Sequence, residues 1–497
     1  MLGCGTRFHI ASAVVAAAIV VSAGPSRAQD AAPDCTARVD VEMISPREGV
    51  PPGPVLSVAM SCRSAAAVQF FGDGSGTAAA MKTVRDGADR PVERDGTVWP
   101  VPPQGGVATL RYRLDLGTLA RGLSSVTVAV GRGEGALAIA SAWLVEPRLQ
   151  GVAAPAIDVV VRTPPGTVFL AGLPESGGVW RLRGTTVRFV GYTVFGRVQS
   201  ERLPVAPPSG SAAGEQAFID LAIFDGDFET ARSDLVEWVR RTVMMTAGYW
   251  DGFTNRRMLV ALLPSPGRRG VGYGRTVPGG GSTVMVQVGE RSSRADLQND
   301  WVLPHELVHT GMPFLRGNGM WFMEGAATYV EPIVRARAGW KTEPEVWREW
   351  VENLPRGLSA LGSGMEGGSA YWGGALFFLL ADIEIRRATS GAKGVEDCFK
   401  GARRLGGPMA PTERWSVPEY VARCDAALGA PLMAGVMERY VGKPNRIDLD
   451  ALWRDLGVRF DGTTITTDDT APLAAIRKLI VAGPPGRPQT RVPPLAN

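Results

Sequence analysis

Histidine is nearly missing from this sequence: three occur in 497 residues. Lysine is almost as scarce, with six among 53 basic residues, which reads as GC-rich coding rather than as a clue to partners. The five cysteines include no C-x-x-C pair, which argues against a cysteine-bound metal. Charge of one sign is absent too: 53 Lys+Arg against 49 Asp+Glu leaves +4, too mild for a nucleic-acid footprint. The apolar run near the start, residues 10–23, is 14 long, short of the roughly 20 that span a bilayer. With 45% apolar and 21% charged residues the chain is neither disordered nor a polytopic membrane protein. Its length suits two or three domains.

What is present begins with a targeting pattern. Arg7 supplies a positive start, residues 10–23 an apolar stretch, and Ser26-Arg27-Ala28 the small residues a signal peptidase inspects. Residues 1–28 are therefore expected to be a cleaved signal peptide, with export to the periplasm or beyond and no membrane span afterwards. Cys4 leaves with it. Cys35, Cys62, Cys398 and Cys424 remain, an even number suited to an oxidising compartment. Of three possible pairings, proximity favours Cys35–Cys62 and Cys398–Cys424.

Hydrophobic periodicity divides the rest. In Leu110-Arg111-Tyr112-Arg113-Leu114-Asp115-Leu116 apolar and charged residues alternate, the mark of a half-buried antiparallel strand. Residues 126–130, 157–161 and 187–195 read likewise, separated by Gly and Pro clusters. Residues 29–205 are expected to form a β-sandwich domain. It contains no histidine and reads as a scaffold. Residues 203–215, rich in Pro, Gly, Ser and Ala, read as a linker or long loop. A strand over 219–224, a helix over 231–247 and a strand over 258–263 then open an α+β second half. The last 16 residues, 482–497, hold five prolines and are expected to be a disordered tail.

The chemistry is concentrated in His305-Glu306-Leu307-Val308-His309, an H-E-x-x-H motif. On a helix its histidines lie four apart on one face and can reach one metal ion. Glu306 points elsewhere and can reach a metal-bound water as general base. Once residues 1–28 are gone, these are the only histidines in the chain. A catalytic zinc site usually takes three protein ligands and leaves one position for water. The expected third ligand is Glu324, because Gly311 and Pro313 end the motif helix and a second helix, apolar around Glu324, returns to it. Glu331, two turns further on, reads as either support for the site or a solvent-exposed acid. Pro304 fits only in a first turn, so the motif helix is expected to start near Asp300.

The motif followed by Trp321-Phe322-Met323-Glu324-Gly325-Ala326-Ala327-Thr328-Tyr329 resembles the gluzincin metallopeptidases, the thermolysin-like clan that includes the aminopeptidase N and glycyl aminopeptidase families. The segments Tyr371-Trp372-Gly373-Gly374-Ala375-Leu376 and Asp382-Ile383-Glu384-Ile385-Arg386 are similar to "Y-x-x-G-x-L … D-x-x-I-R" of the glycyl aminopeptidase-like group, and residues 437–442 and 449–458 are similar too. The resemblance covers roughly 216–480. It implies a thermolysin-like, mostly helical catalytic domain over that span. It also implies one zinc per chain, a peptide or protein substrate, and an oxyanion-stabilising role for Tyr371. Two departures stand out. The interval from His309 to Glu324 is shorter than is usual in these families. The acid that binds a substrate's free amine there, in a G-x-M-E-N-like strand, has no counterpart in residues 278–286. Glu290 is several residues further along, beyond that strand, which leaves a distant acid such as Glu366, in the loop before Tyr371, to restore the anchor.

The sequence thus points to an exported zinc-dependent metallopeptidase in which His305, His309 and Glu324 hold the ion, Glu306 is the base and Tyr371 the oxyanion donor. Strand 284–287 is the candidate for pairing with an extended substrate. A non-catalytic binding protein on a peptidase fold and a zinc hydrolase of a non-peptide bond are the competing readings.

Overall fold

Along strand Val107–Asp115, Leu110, Tyr112 and Leu114 are buried and Arg111 and Arg113 exposed in the computed structural model of the protein, as the alternation requires. The strand stops one residue earlier than the pattern does. Asp115 instead accepts a hydrogen bond from Thr118 N–H at 2.8 Å and caps a short helix, Leu116–Leu123. The structure describes residues 32–44, 52–73, 77–207, 211, 216–279, 281–365, 370–404, 415–443, 447–486, 490–493 and 495. The expected signal peptide lies outside the described residues.

Strand Val107–Asp115 belongs to a seven-stranded sheet in which Cys35–Ile44 and Gly53–Arg63 pair antiparallel. Cys35 and Cys62 face each other across that pair and form a disulfide. A second, four-stranded sheet contributes Ala129–Arg132, Gly135–Ile139, Val168–Ala171 and Tyr192–Gly196. Buried side chains of both sheets share one core, among them Met60, Leu110, Ala138 and Phe195. The expectation of strands over 126–130 and 187–195 is corrected in detail, since the first begins at Ala129 and residues Val187–Phe189 make a 3-10 turn.

The second half starts with a five-stranded mixed sheet in the order Gln199–Val205, Ala217–Ile223, Arg257–Ser265, Gly281–Gly289, Val271–Gly279. Its first strand falls inside the span 29–205 assigned to the β-sandwich, and it pairs antiparallel with the second. The linker or long loop expected over 203–215 therefore begins inside a strand, at Leu203–Val205, and falls between two paired strands. The two halves are closely joined. Tyr192 N–H donates to Thr283 Oγ1 at 2.8 Å, and Arg257 bridges Asp220 (2.7 Å) and Glu175 (2.9 Å). Val194, Leu259 and Met285 share a small core of their own. Residues Pro33–Asn497 form one compact unit.

Helices build the remainder around a large core rich in tryptophan. Cys398 and Cys424 form the second expected disulfide, between helices Val395–Arg404 and Val417–Leu428. No helix among the described residues is long and apolar enough to cross a membrane. The described part of 482–497 is not a free tail. Val492 N–H donates to Ala338 C=O, Trp340 Nε1 donates to Val492 C=O, and Leu495 N–H donates to Gln298 Oε1. Val492 and Leu495 are buried. Proline removes amide donors, but it does not prevent apolar residues between prolines from docking.

Candidate metal centre

The motif helix runs from Val302 to His309. Asp300 accepts hydrogen bonds from Val302 N–H (2.7 Å) and Leu303 N–H (3.0 Å), two amides that a helix start leaves without partners. Pro304 falls in that first turn, where a missing N–H costs nothing. His305 N–H closes the first helical bond to Trp301 C=O at 3.1 Å. Burial pushes Asp300 up to about 7, although the two amides and Arg335 pull the other way.

His305 and His309 follow one turn apart, with ring centroids 4.9 Å apart. Glu324 sits in the second turn of helix Met320–Ala338. Its Oε2 lies 3.1 Å from His305 Nε2 and 3.3 Å from His309 Nε2, so the short interval from His309 is long enough. One ligand atom from each residue lies within 4.8 Å of the others. Burial alone would raise the Glu324 carboxyl, but the two imidazoles outweigh it and hold it well below the usual range. For His309 burial opposes protonation, yet the hydrogen bond and charge of Glu324 raise its pKa. Two imidazole nitrogens and one carboxylate oxygen are a donor set that fits zinc with a coordination position to spare.

Two helices cross tightly behind these groups. A Cβ placed on Gly325 would fall 2.3 Å from Gly374 Cα, so helix Met320–Ala338 touches helix Ala370–Ala388 backbone to backbone. The crossing is locked one layer deeper, where Asp382 accepts from Tyr329 Oη (2.7 Å) and pairs with Arg386 (3.0 Å). Tyr371, one turn before Gly374, thereby meets Glu324. Its ring stacks toward His305 at 6.3 Å between centroids. Burial, then the charge and hydrogen bond of Glu324, push its hydroxyl up to about 12.

Glu306 lies on the same wall. Thr276 Oγ1 is 2.8 Å from both Glu306 Oε2 and Glu306 C=O, and donates to one at a time. Thr276 comes from strand Val271–Gly279, the edge of the five-stranded sheet. That edge lines a cleft of about 730 Å3 together with Glu306, His309, Glu324 and Tyr371. The candidate pairing strand 284–287 is corrected: Gly281–Gly289 is bonded on both sides, by Arg257–Ser265 and by Val271–Gly279, and has no edge to offer. The free edge is its neighbour.

Other expectations resolve differently. Glu331 is neither solvent-exposed nor part of the cleft wall; it is buried and paired with Arg335 at 3.3 Å. Glu290 accepts from Asp227 N–H at 3.1 Å and does not line the cleft. Glu366 lies outside the described residues. Tyr273, Arg275 and Thr276 line the cleft from the edge strand that precedes Gly281–Gly289, and no motif marks them in the sequence. Arg188 and Phe189 reach the cleft from the β domain, which sequence reasoning treated as scaffold only.

No family model matches the chain, and no curated protein matches it in sequence. Similarity emerges in three dimensions. The structure of an aminopeptidase N family protein from Idiomarina loihiensis superposes with a TM-score of 0.61 at 12% identity, over 85% of this chain and 78% of that one. An M1 zinc metallopeptidase from Deinococcus radiodurans gives 0.49 at 14% identity, over 83% and 94%. A form of it bound to a Tyr-Ser-Ala substrate gives the same values. The chain shares the fold of the aminopeptidase N family protein.

Proposed function

We propose that the protein is an exported zinc metallopeptidase. The observation that carries this is the meeting of His305, His309 and Glu324 at one point of a cleft that also presents Glu306 and Tyr371. When bound, zinc would lower the pKa of a water toward about 7 and polarise a carbonyl. Glu306, held by Thr276 and aimed into the cleft, takes the proton of the attacking water and delivers it to the leaving amine. Tyr371 donates a hydrogen bond from its hydroxyl to the oxyanion, a type of contact worth about 3–4 kcal/mol. An extended peptide adds to the free edge Val271–Gly279, which supplies main-chain donors and acceptors.

A non-catalytic binding role leaves unexplained a carboxylate positioned beside the metal ligands without joining them. Export rests on residues 1–28 and is supported by two disulfides, which suit an oxidising compartment. The test is hydrolysis of a mixed peptide library by the purified mature protein. Cleavage abolished by a chelator and restored by zinc supports the reading. Cleavage that survives complete removal of metal refutes it.

A further inference from the structure

The cleft is lined by two arginines, Arg188 and Arg275, and by two carboxylates, Glu306 and Glu324. Both carboxylates are committed in the proposed mechanism, one as base and one as ligand. The arginines are uncommitted. Among the described residues neither guanidinium has a carboxylate within 4.0 Å, although the Arg188 main-chain N–H donates to Glu146 Oε2 at 3.4 Å. Arg275 Nη1 approaches only neutral oxygens, Tyr192 Oη at 3.4 Å and Thr127 C=O at 3.3 Å. Arg188 is exposed on the 3-10 turn Val187–Phe189 and lines the same cleft. Much of the remaining lining is apolar, with Phe189, Met312, Phe314, Met320 and Met323.

A guanidinium is permanently charged and offers a planar fork of donors that matches a carboxylate. Two of them lining one cleft attract an anion, and among the described lining residues no acid is left over to hold a substrate ammonium group. We infer that Arg188 and Arg275 form a subsite for a substrate carboxylate, from an acidic side chain or from the peptide's own C-terminus. This deepens the peptidase reading and rests on it. It sets the substrate class as acidic or short peptides with a carboxylate near the scissile bond, not peptides selected by a free amino terminus.

The experiment uses peptide pairs built on one apolar core. One arm compares Glu with Gln at each position flanking the core, and the other compares a free C-terminus with its amide. Each pair is measured twice, as kcat/KM with the zinc-loaded protein and as equilibrium binding to the Glu306→Gln variant. The carboxylate member of at least one pair should be preferred about 10-fold or more, the scale of one charge-assisted contact. Arg188→Gln and Arg275→Gln should each remove most of that preference while the uncharged member is handled as before. The arm that shows the preference identifies the source of the carboxylate. Equal treatment of both members in every pair overturns the subsite and leaves the peptidase reading intact. If Arg275→Gln slows both members alike, Arg275 acts on the catalytic groups, and its part of the inference falls. Failure of every peptide to bind or be cleaved refutes the peptidase reading and this inference with it.

Discussion

Gly274 on the edge strand lies so close to Glu306 that a Cβ on it would fall 2.5 Å from Glu306 Cγ and 2.7 Å from Val302 Cγ1. The strand that lines the cleft and the side chain that carries the proton are thus in direct contact, and only a residue without a side chain fits between them. Gly274→Ala must push Glu306 or the strand aside. Displacement of a reacting group by about 1 Å can cost about 100-fold in rate. The variant should lose between about 10- and 100-fold in kcat and keep its zinc, which metal analysis beside steady-state kinetics will check.

Metal content should depend on the two histidines. The purified mature protein is expected to hold one zinc per chain, and His305→Ala or His309→Ala should abolish it, since no histidine outside the motif survives removal of residues 1–28. Elemental analysis of either variant showing full zinc would sink the site assignment.

Glu306→Gln removes the base but no ligand. It should retain zinc and lose turnover by several orders of magnitude. Thr276→Val removes the hydroxyl that lies 2.8 Å from Glu306 Oε2 and should lie between wild type and Glu306→Gln. Near wild-type activity in Glu306→Gln would mean that another group takes the proton.

Tyr371→Phe deletes one hydroxyl from a half-exposed side chain at the cleft. A fall in kcat of about 100- to 1,000-fold is expected, the usual cost of one oxyanion donor. Zinc content should be unchanged. An unaltered kcat would reduce Tyr371 to a packing role against His305.

Asp300 should make stability pH-dependent. Burial raises its folded pKa to about 7, against about 3.8 unfolded. Between those values the folded chain holds a proton that the unfolded chain has released, so this stabilisation is full below about pH 4 and is lost as pH rises through 7. The slope is at most about 1.4 kcal/mol per pH unit. Asp300→Asn cannot titrate and lacks this contribution. The stability of wild type relative to this variant should therefore fall from pH 4 to pH 7 in denaturant melts, and a difference that does not change with pH would refute the assignment.

Local patterns in the chain determined a good deal. The spacing of His305 and His309 on a helix needs no tertiary information, because 3.6 residues per turn aligns positions four apart. Glu324 was legible because an acid amid apolar neighbours requires a partner. The near-neighbour cysteines were legible because short loops close most readily. What only the tertiary structure decided is which strand is an edge, and what faces the cleft from afar. Strand order depends on long-range pairing, so Gly281–Gly289, which carries the more apolar sequence, turns out to be interior while Val271–Gly279 carries Gly274, Arg275 and Thr276 to the site. Arg188 lies more than 100 residues before the motif and has no local signature. It reaches the cleft only because the two halves pack through Tyr192, Thr283 and the shared core of Val194, Leu259 and Met285. Periodicity records which face of an element is buried, whereas the choice of neighbour is made by the packing of the whole chain.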